Sequence, residues 1–127
     1  MTLSPEIVDA IQKAEHKALA TFCGEVNVVP VSVLEIVDGD IWLFNFFMDK
    51  TAKNICAEPS AALALWRGME GVQLKGKVTH EESGENFDRA KAKMKEKFPE
   101  RTIKGLLIFK PESVYDLTPG AGGRKLQ

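Results

Sequence analysis

The chain has 127 residues, with 17 Lys and Arg against 18 Asp and Glu, a formal charge of −1. With 44% hydrophobic and 28% charged residues it has globular composition, which argues against a disordered chain and removes the warrant for a non-specific nucleic-acid binder. No apolar run approaches the length of a membrane span, and Cys23, Cys56, His16 and His80 are too scattered to form a metal motif.

Residues 1–20 carry Glu6, Asp9 and Glu15 at helical spacings, which is not the pattern of a secretion signal. A single domain over 1–127 is therefore expected, cytoplasmic, with two free thiols, no metal, no nucleic acid and no membrane partner. Ser4-Pro5-Glu6 reads as a helix start, with Ser as N-cap and Pro at the first helical position. Ile7, Ile11, Ala14 and Ala18 follow at helical spacing and predict a helix over 5–17. A short strand over 19–23 comes next.

Residues 26–37 are rich in β-branched side chains and predict one strand, with Asp38-Gly39 as a hairpin turn and 41–48 as the return strand. A short helix over 49–58 stops before Pro59. Residues 60–66 are rich in Ala and Leu, but Pro59 and the short length favour a strand. Clean alternation over 71–80 turns Val72, Leu74, Gly76 and Val78 to one face. A helix over 82–98 carries Phe87, Ala90, Met94 and Phe98 on its buried stripe. Strands over 105–110 and 114–117 follow, with Pro111 as a bend between them. The glycine-rich tail 118–127 reads as mobile. Short strands joined by tight turns predict an antiparallel barrel, mainly β with peripheral helices.

Two features break local rules. The helix over 82–98 places acids early and lysines late, as the helix dipole favours. The helix after Asp49 places Lys50 and Lys53 near its start, where exposed N–H groups disfavour cations. A bound phosphate, meeting those N–H groups, the Thr51 hydroxyl and both ammonium groups, would compensate; lysines turned into solvent would explain the order equally well. The second feature is strand 41–48, which is apolar on both faces and needs an outer cover. A homodimer interface is the expected cover, with a helix as the competing one. Pro30, inside the preceding strand, implies an edge or a bulge.

The run FNFFMDKTAKNICAEPSAALALW, followed by GVQLKGKV, resembles the FMN-binding split-barrel flavoproteins of the pyridoxamine 5′-phosphate oxidase-like family. The likeness spans residues 15–117 and is greatest to small members that hold little beyond the barrel. It implies an antiparallel Greek-key split β-barrel and a homodimer with FMN at the subunit interface. Lys50 and Thr51 would lie at the FMN phosphate, with Lys53 and Asn54 beside them. Pro30, Val31 and Ser32 would line the flavin. Asn45, Phe46 and Phe47 would pass the ring and ribityl chain. Gln73 would be a flavin contact, although in the register set by Gly76-Lys77 the family's glutamine position falls on Gly71.

True pyridoxamine phosphate oxidases hold their substrate with a basic C-terminal segment and a histidine, and no histidine follows His80 here. Vitamin B6 oxidation is therefore not expected. The resemblance leads to a flavin-dependent oxidoreductase acting on a small molecule, with NAD(P)H as a candidate reductant and no catalytic side chain nominated. A non-catalytic FMN electron carrier, or a split barrel that binds haem or a deazaflavin, are the alternatives. Cys56 is expected to be buried packing, and His80 a surface or capping residue.

Overall fold

The computed structural model describes residues 1–127. Its elements run α1 (Pro5–Lys13), β1 (His16–Phe22), β2 (Val26–Pro30), β3 (Leu34–Val37), β4 (Asp40–Asn45) and α2 (Asp49–Ala57). They continue with β5 (Ser60–Arg67), β6 (Glu70–Glu81), α3 (Glu85–Lys97) and β7 (Gly105–Asp116). All strand pairs are antiparallel, in one seven-stranded sheet of order β2-β1-β5-β6-β7-β4-β3. β2 and β3 are its two edges and do not pair, so the curled sheet stays open between them. No helix is long and apolar enough to cross a membrane.

The inner faces close on one core. Leu19, Leu43, Leu63, Leu74 and Phe109 fill the barrel, Ile7 and Ile11 of α1 cap it, and Ile55 of α2 joins from the side. α1 starts where Ser4 caps it, its Oγ accepting from Ile7 N–H at 3.3 Å. It ends at Lys13, four residues before the expected end. Pairing decides this: Glu15 N–H donates to Trp66 O, and His16 to Thr21 lie in register with β5, so strand bonds override helix propensity.

The strand expected over 26–37 is two strands. β2 ends at Pro30, Val31 N–H donates to Lys17 O, and β3 restarts at Leu34 on the opposite edge of the sheet. Asp38 and Gly39 both take positive φ, 51° and 84°, as a tight hairpin turn requires. The bend expected at Pro111 is absent, and β7 runs through it as one strand of 12 residues. Gly76 pairs with Pro111 and Lys75 with Ser113, so Glu112 bulges and the proline sits at the irregularity.

The cover of β4 is a correction. Ile41 and Leu43 face the core, while Trp42 and Phe44 face a second apolar cluster built on Ala90 and Met94 of α3, with Phe87 and Phe98 packed against it. The cover is a helix of the same chain. A subunit interface is not needed there, because α3 carries the apolar stripe that β4 and β7 lack a partner for. Glu35 of β3 binds the helix from the other side, accepting from Lys93 at 2.7 Å and Lys97 at 3.3 Å.

Burial acts against ionised Glu35, but the hydrogen bonds from Lys93 and Lys97 win and hold its carboxyl below the usual glutamate range. A depressed carboxyl stabilises the fold above its unfolded pKa and loses that contribution as pH falls through its folded one. Wild type should therefore be more stable than Glu35→Gln at pH 7, by less than about 1 kcal/mol because water screens the pair. The two urea midpoints should converge as pH drops below about 4. A gap that stays constant from pH 7 to pH 3 would show that the ion pairs contribute nothing.

Candidate functional site

The chain leaves β4 and enters α2 through Phe46, Phe47 and Met48. Asn45 shapes this entry: its Oδ1 accepts from Met48 N–H at 2.7 Å, and Met48 O then accepts from Ala52 N–H at 2.8 Å. α2 itself has no side-chain N-cap bond. The N–H groups of Asp49 and Lys50 therefore lack both a cap and the carbonyl that a helix interior supplies. The helix starts at Asp49, so Lys50 stands in its first turn and Lys53 just beyond it.

Behind this start lies a buried polar cluster. Asn27 of β2 donates from Nδ2 to Thr51 Oγ1 at 3.1 Å, and Asn54 donates from Nδ2 to Thr21 Oγ1 at 3.1 Å. Thr51 is fully buried and Asn54 nearly so. These bonds pin α2 to β1 and β2. Removing any of these groups strands a buried partner.

In front lie the charges. Lys50 pairs with Glu25, in the β1–β2 turn, at 2.7 Å. That hydrogen bond and charge hold the Glu25 carboxyl below the usual glutamate range. Lys104 pairs with Asp49 at 3.3 Å and stands over the Phe47 ring, 6.0 Å from its centroid. Lys53 has no acidic partner. It lines a cleft of about 690 Å³ with Asn45, Asp49, Cys56, His80 and Lys104. The inverted charge order of α2 is thus partly offset within the chain, by Glu25 on Lys50 and by Asp49 itself.

The structure gathers some of the expected site residues and separates others. Lys50 and Lys53 are exposed at the α2 start. Thr51 and Asn54 stand beside them, facing inward as frame. Thr51 presents no free surface in this chain, and its Oγ1 accepts from Asn27. Phe46 packs inward, edge-on to Phe98 at 6.3 Å, whereas Phe47 is 87% exposed. Pro30 ends β2, about 10 Å along the strand from Asn27, and Val31 and Ser32 follow it. Val31 is buried, and Ser32 opens onto a second cleft with Lys17 and Glu35.

Gln73 is not brought to them. It lies in one row with Pro30, Ala18, Ala64 and Tyr115 on the outer face of the sheet, three strands from Pro30. Within one chain that is roughly 14 Å. Two expectations fail outright. Cys56 is exposed rather than packed. The His80 side chain is 6% exposed and neither caps nor decorates the surface. Sequence reading missed Thr21 and Asn27, although strand alternation turns both toward α2.

Known proteins share this fold. The model of the family described as pyridoxamine 5′-phosphate oxidase matches residues 3–122. An uncharacterized protein of Methanocaldococcus jannaschii is 29% identical over 129 residues, which covers 98% of this chain and 87% of the relative. Among solved structures, HupZ of Group A Streptococcus superposes with a TM-score of 0.80 at 18% identity, covering 94% of this chain and 98% of that one. An FMN-binding protein from Syntrophomonas wolfei superposes with a TM-score of 0.73 at 22% identity, covering 89% of each chain. At these identities the two superpositions establish the shared split-barrel fold.

Proposed function

The chain belongs to the pyridoxamine 5′-phosphate oxidase family, and from that premise we propose that it is a single-domain FMN-binding flavoprotein, an oxidoreductase acting on a small molecule. The observation that carries the reading is the start of α2, where uncapped N–H groups meet Lys50 and Lys53 above a rigid polar frame. That donor set fits a phosphate monoester: two cations and free backbone donors, with Glu25 on Lys50 and Asp49 on Lys104 as the acids beside them. Bound FMN supplies hydride and single-electron transfer. The chain supplies position and charge.

Lys50 and Lys53 neutralise the phosphate, and the N–H groups of Asp49 and Lys50 donate to it. Asn45, Thr51 and Asn54 keep that helix start in place. Phe47 offers an exposed aromatic surface beside it. Pro30 to Ser32 provide backbone groups at the open edge of the barrel for the ring. No side chain is assigned a catalytic role.

A homodimer completes the proposal. The outer face of β1, β2, β5 and β6 carries Ala18, Ala20, Ala62 and Ala64 in its middle, with Val28 67% exposed at its margin. Small side chains in the middle of a sheet face let a second sheet approach closely. A partner copy docked there brings its Gln73 toward Pro30, which a single chain leaves distant.

The test is a fluorescence titration with FMN and with riboflavin, which lacks the phosphate. FMN is expected to bind at least about tenfold tighter, the worth of one or more charge-assisted hydrogen bonds. Equal affinities would remove the phosphate site. Light scattering at micromolar concentration is expected to give a dimer, and Ala64→Arg a monomer of unchanged fold. A dimer that survives Ala64→Arg would move the interface elsewhere.

A further inference from the structure

His80 sits near the end of β6, in a notch that exists because residue 105 is glycine. Any β-carbon on Gly105 would overlap His80 Nε2. The ring is therefore held from behind by the β7 backbone, with little room to turn. Its Nε2 lies 3.4 Å from Asn45 Nδ2.

The protonation pattern follows from donor logic. Met48 N–H can only donate, so the Asn45 atom 2.7 Å from it must be the carbonyl Oδ1. The other amide atom, Nδ2, is then a donor aimed at His80. His80 Nε2 must accept, which puts the neutral ring's proton on Nδ1, facing the cleft. There the nearest charge is Glu82, its carboxylate 3.8 Å from Nδ1 and beyond hydrogen-bond reach. Asp49 and Lys53 face the same cleft from α2, and Lys104 faces it from the segment entering β7.

We propose that His80 is a positioning residue that sets the Asn45 amide, and that its protonation loosens the α2 entry and weakens anion binding there. A protonated ring donates from both nitrogens. Nε2–H and Asn45 Nδ2–H then oppose each other. Turning the Asn45 amide relieves that clash but places its NH₂ against Met48 N–H. Either arrangement loses one bond of the chain His80–Asn45–Met48, and the first turn of α2 is the element it releases. The anion-binding half rests on the FMN reading; the link from His80 to Met48 does not.

The test is a ¹⁵N and ¹³C NMR titration of the ligand-free chain, carried to the acidity at which the His80 ring signals report its protonation. The Met48 amide signal is expected to move with the same midpoint as the His80 ring. In His80→Gln, whose side-chain carbonyl can still accept from Asn45 but cannot titrate, that movement should vanish. A Met48 signal that stays put while His80 titrates, or moves equally in His80→Gln, would overturn the proposal. FMN affinity should fall about three- to tenfold more in wild type than in His80→Gln over the same range, the worth of one hydrogen bond. The variant also carries the phosphate's own titration, so equal losses in both proteins would refute the effect on anion binding. Linked Met48 movement with no FMN binding at any pH would uphold the positioning role and refute the flavin reading instead.

Discussion

Gly76→Ala is expected to lower stability by about 3 kcal/mol, the upper end for overpacking a rigid site. A β-carbon at this position would overlap Lys110 O and stand 3.1 Å from Pro111 Cα. Both obstacles are backbone, so no side chain can rotate away. Gly76 is buried, pairs with Pro111 and stands next to the register shift at Lys75, where β7 bulges to accommodate a residue without an N–H. An added methyl must force β6 and β7 apart at the seam that also aligns β5. For a chain of this length the melting temperature should fall by roughly 10 °C or more. A loss of less than about 1 kcal/mol in urea would mean that the seam is more compliant than its geometry indicates.

Opposite substitutions in one ion pair should move FMN affinity in opposite directions. Lys50→Ala removes the cation and leaves Glu25 facing the phosphate unneutralised. A loss of about 1–3 kcal/mol is expected, or roughly five- to 150-fold in affinity. Glu25→Gln frees Lys50 from its 2.7 Å partner and removes the competing negative charge, so affinity should rise. Both residues are exposed, so neither change should disturb the fold, and circular dichroism checks that. A general loss of structure would weaken binding in both variants. Only a phosphate beside Lys50 accounts for a fall in one and a rise in the other.

The parts of the fold that follow from chemistry within a few residues were legible in the sequence. Ser4-Pro5 starts α1, Asp38-Gly39 turns the hairpin, and Phe87, Ala90, Met94 and Phe98 mark the buried stripe of α3. Features decided by distant pairing were not. α1 stops early because β5 claims His16 onward, and residues 26–37 divide because Leu34 to Val37 pair with β4 instead of continuing beside β1. The two-faced strand was recognised, but its cover depended on where α3 folds back, which periodicity alone does not state. At the candidate site, Lys50 and Lys53 stood out through their charge order. Their frame did not: Thr21 and Asn27 belong to other strands, and His80 lies next to Asn45 only because β6 and β4 flank the start of β7.

The visible absorption spectrum of the freshly purified protein, followed by chromatography of whatever heat releases, tests the flavin assignment most directly. Flavin bands with FMN in the supernatant are the expected result. A colourless protein that also fails to take up added FMN would contradict it.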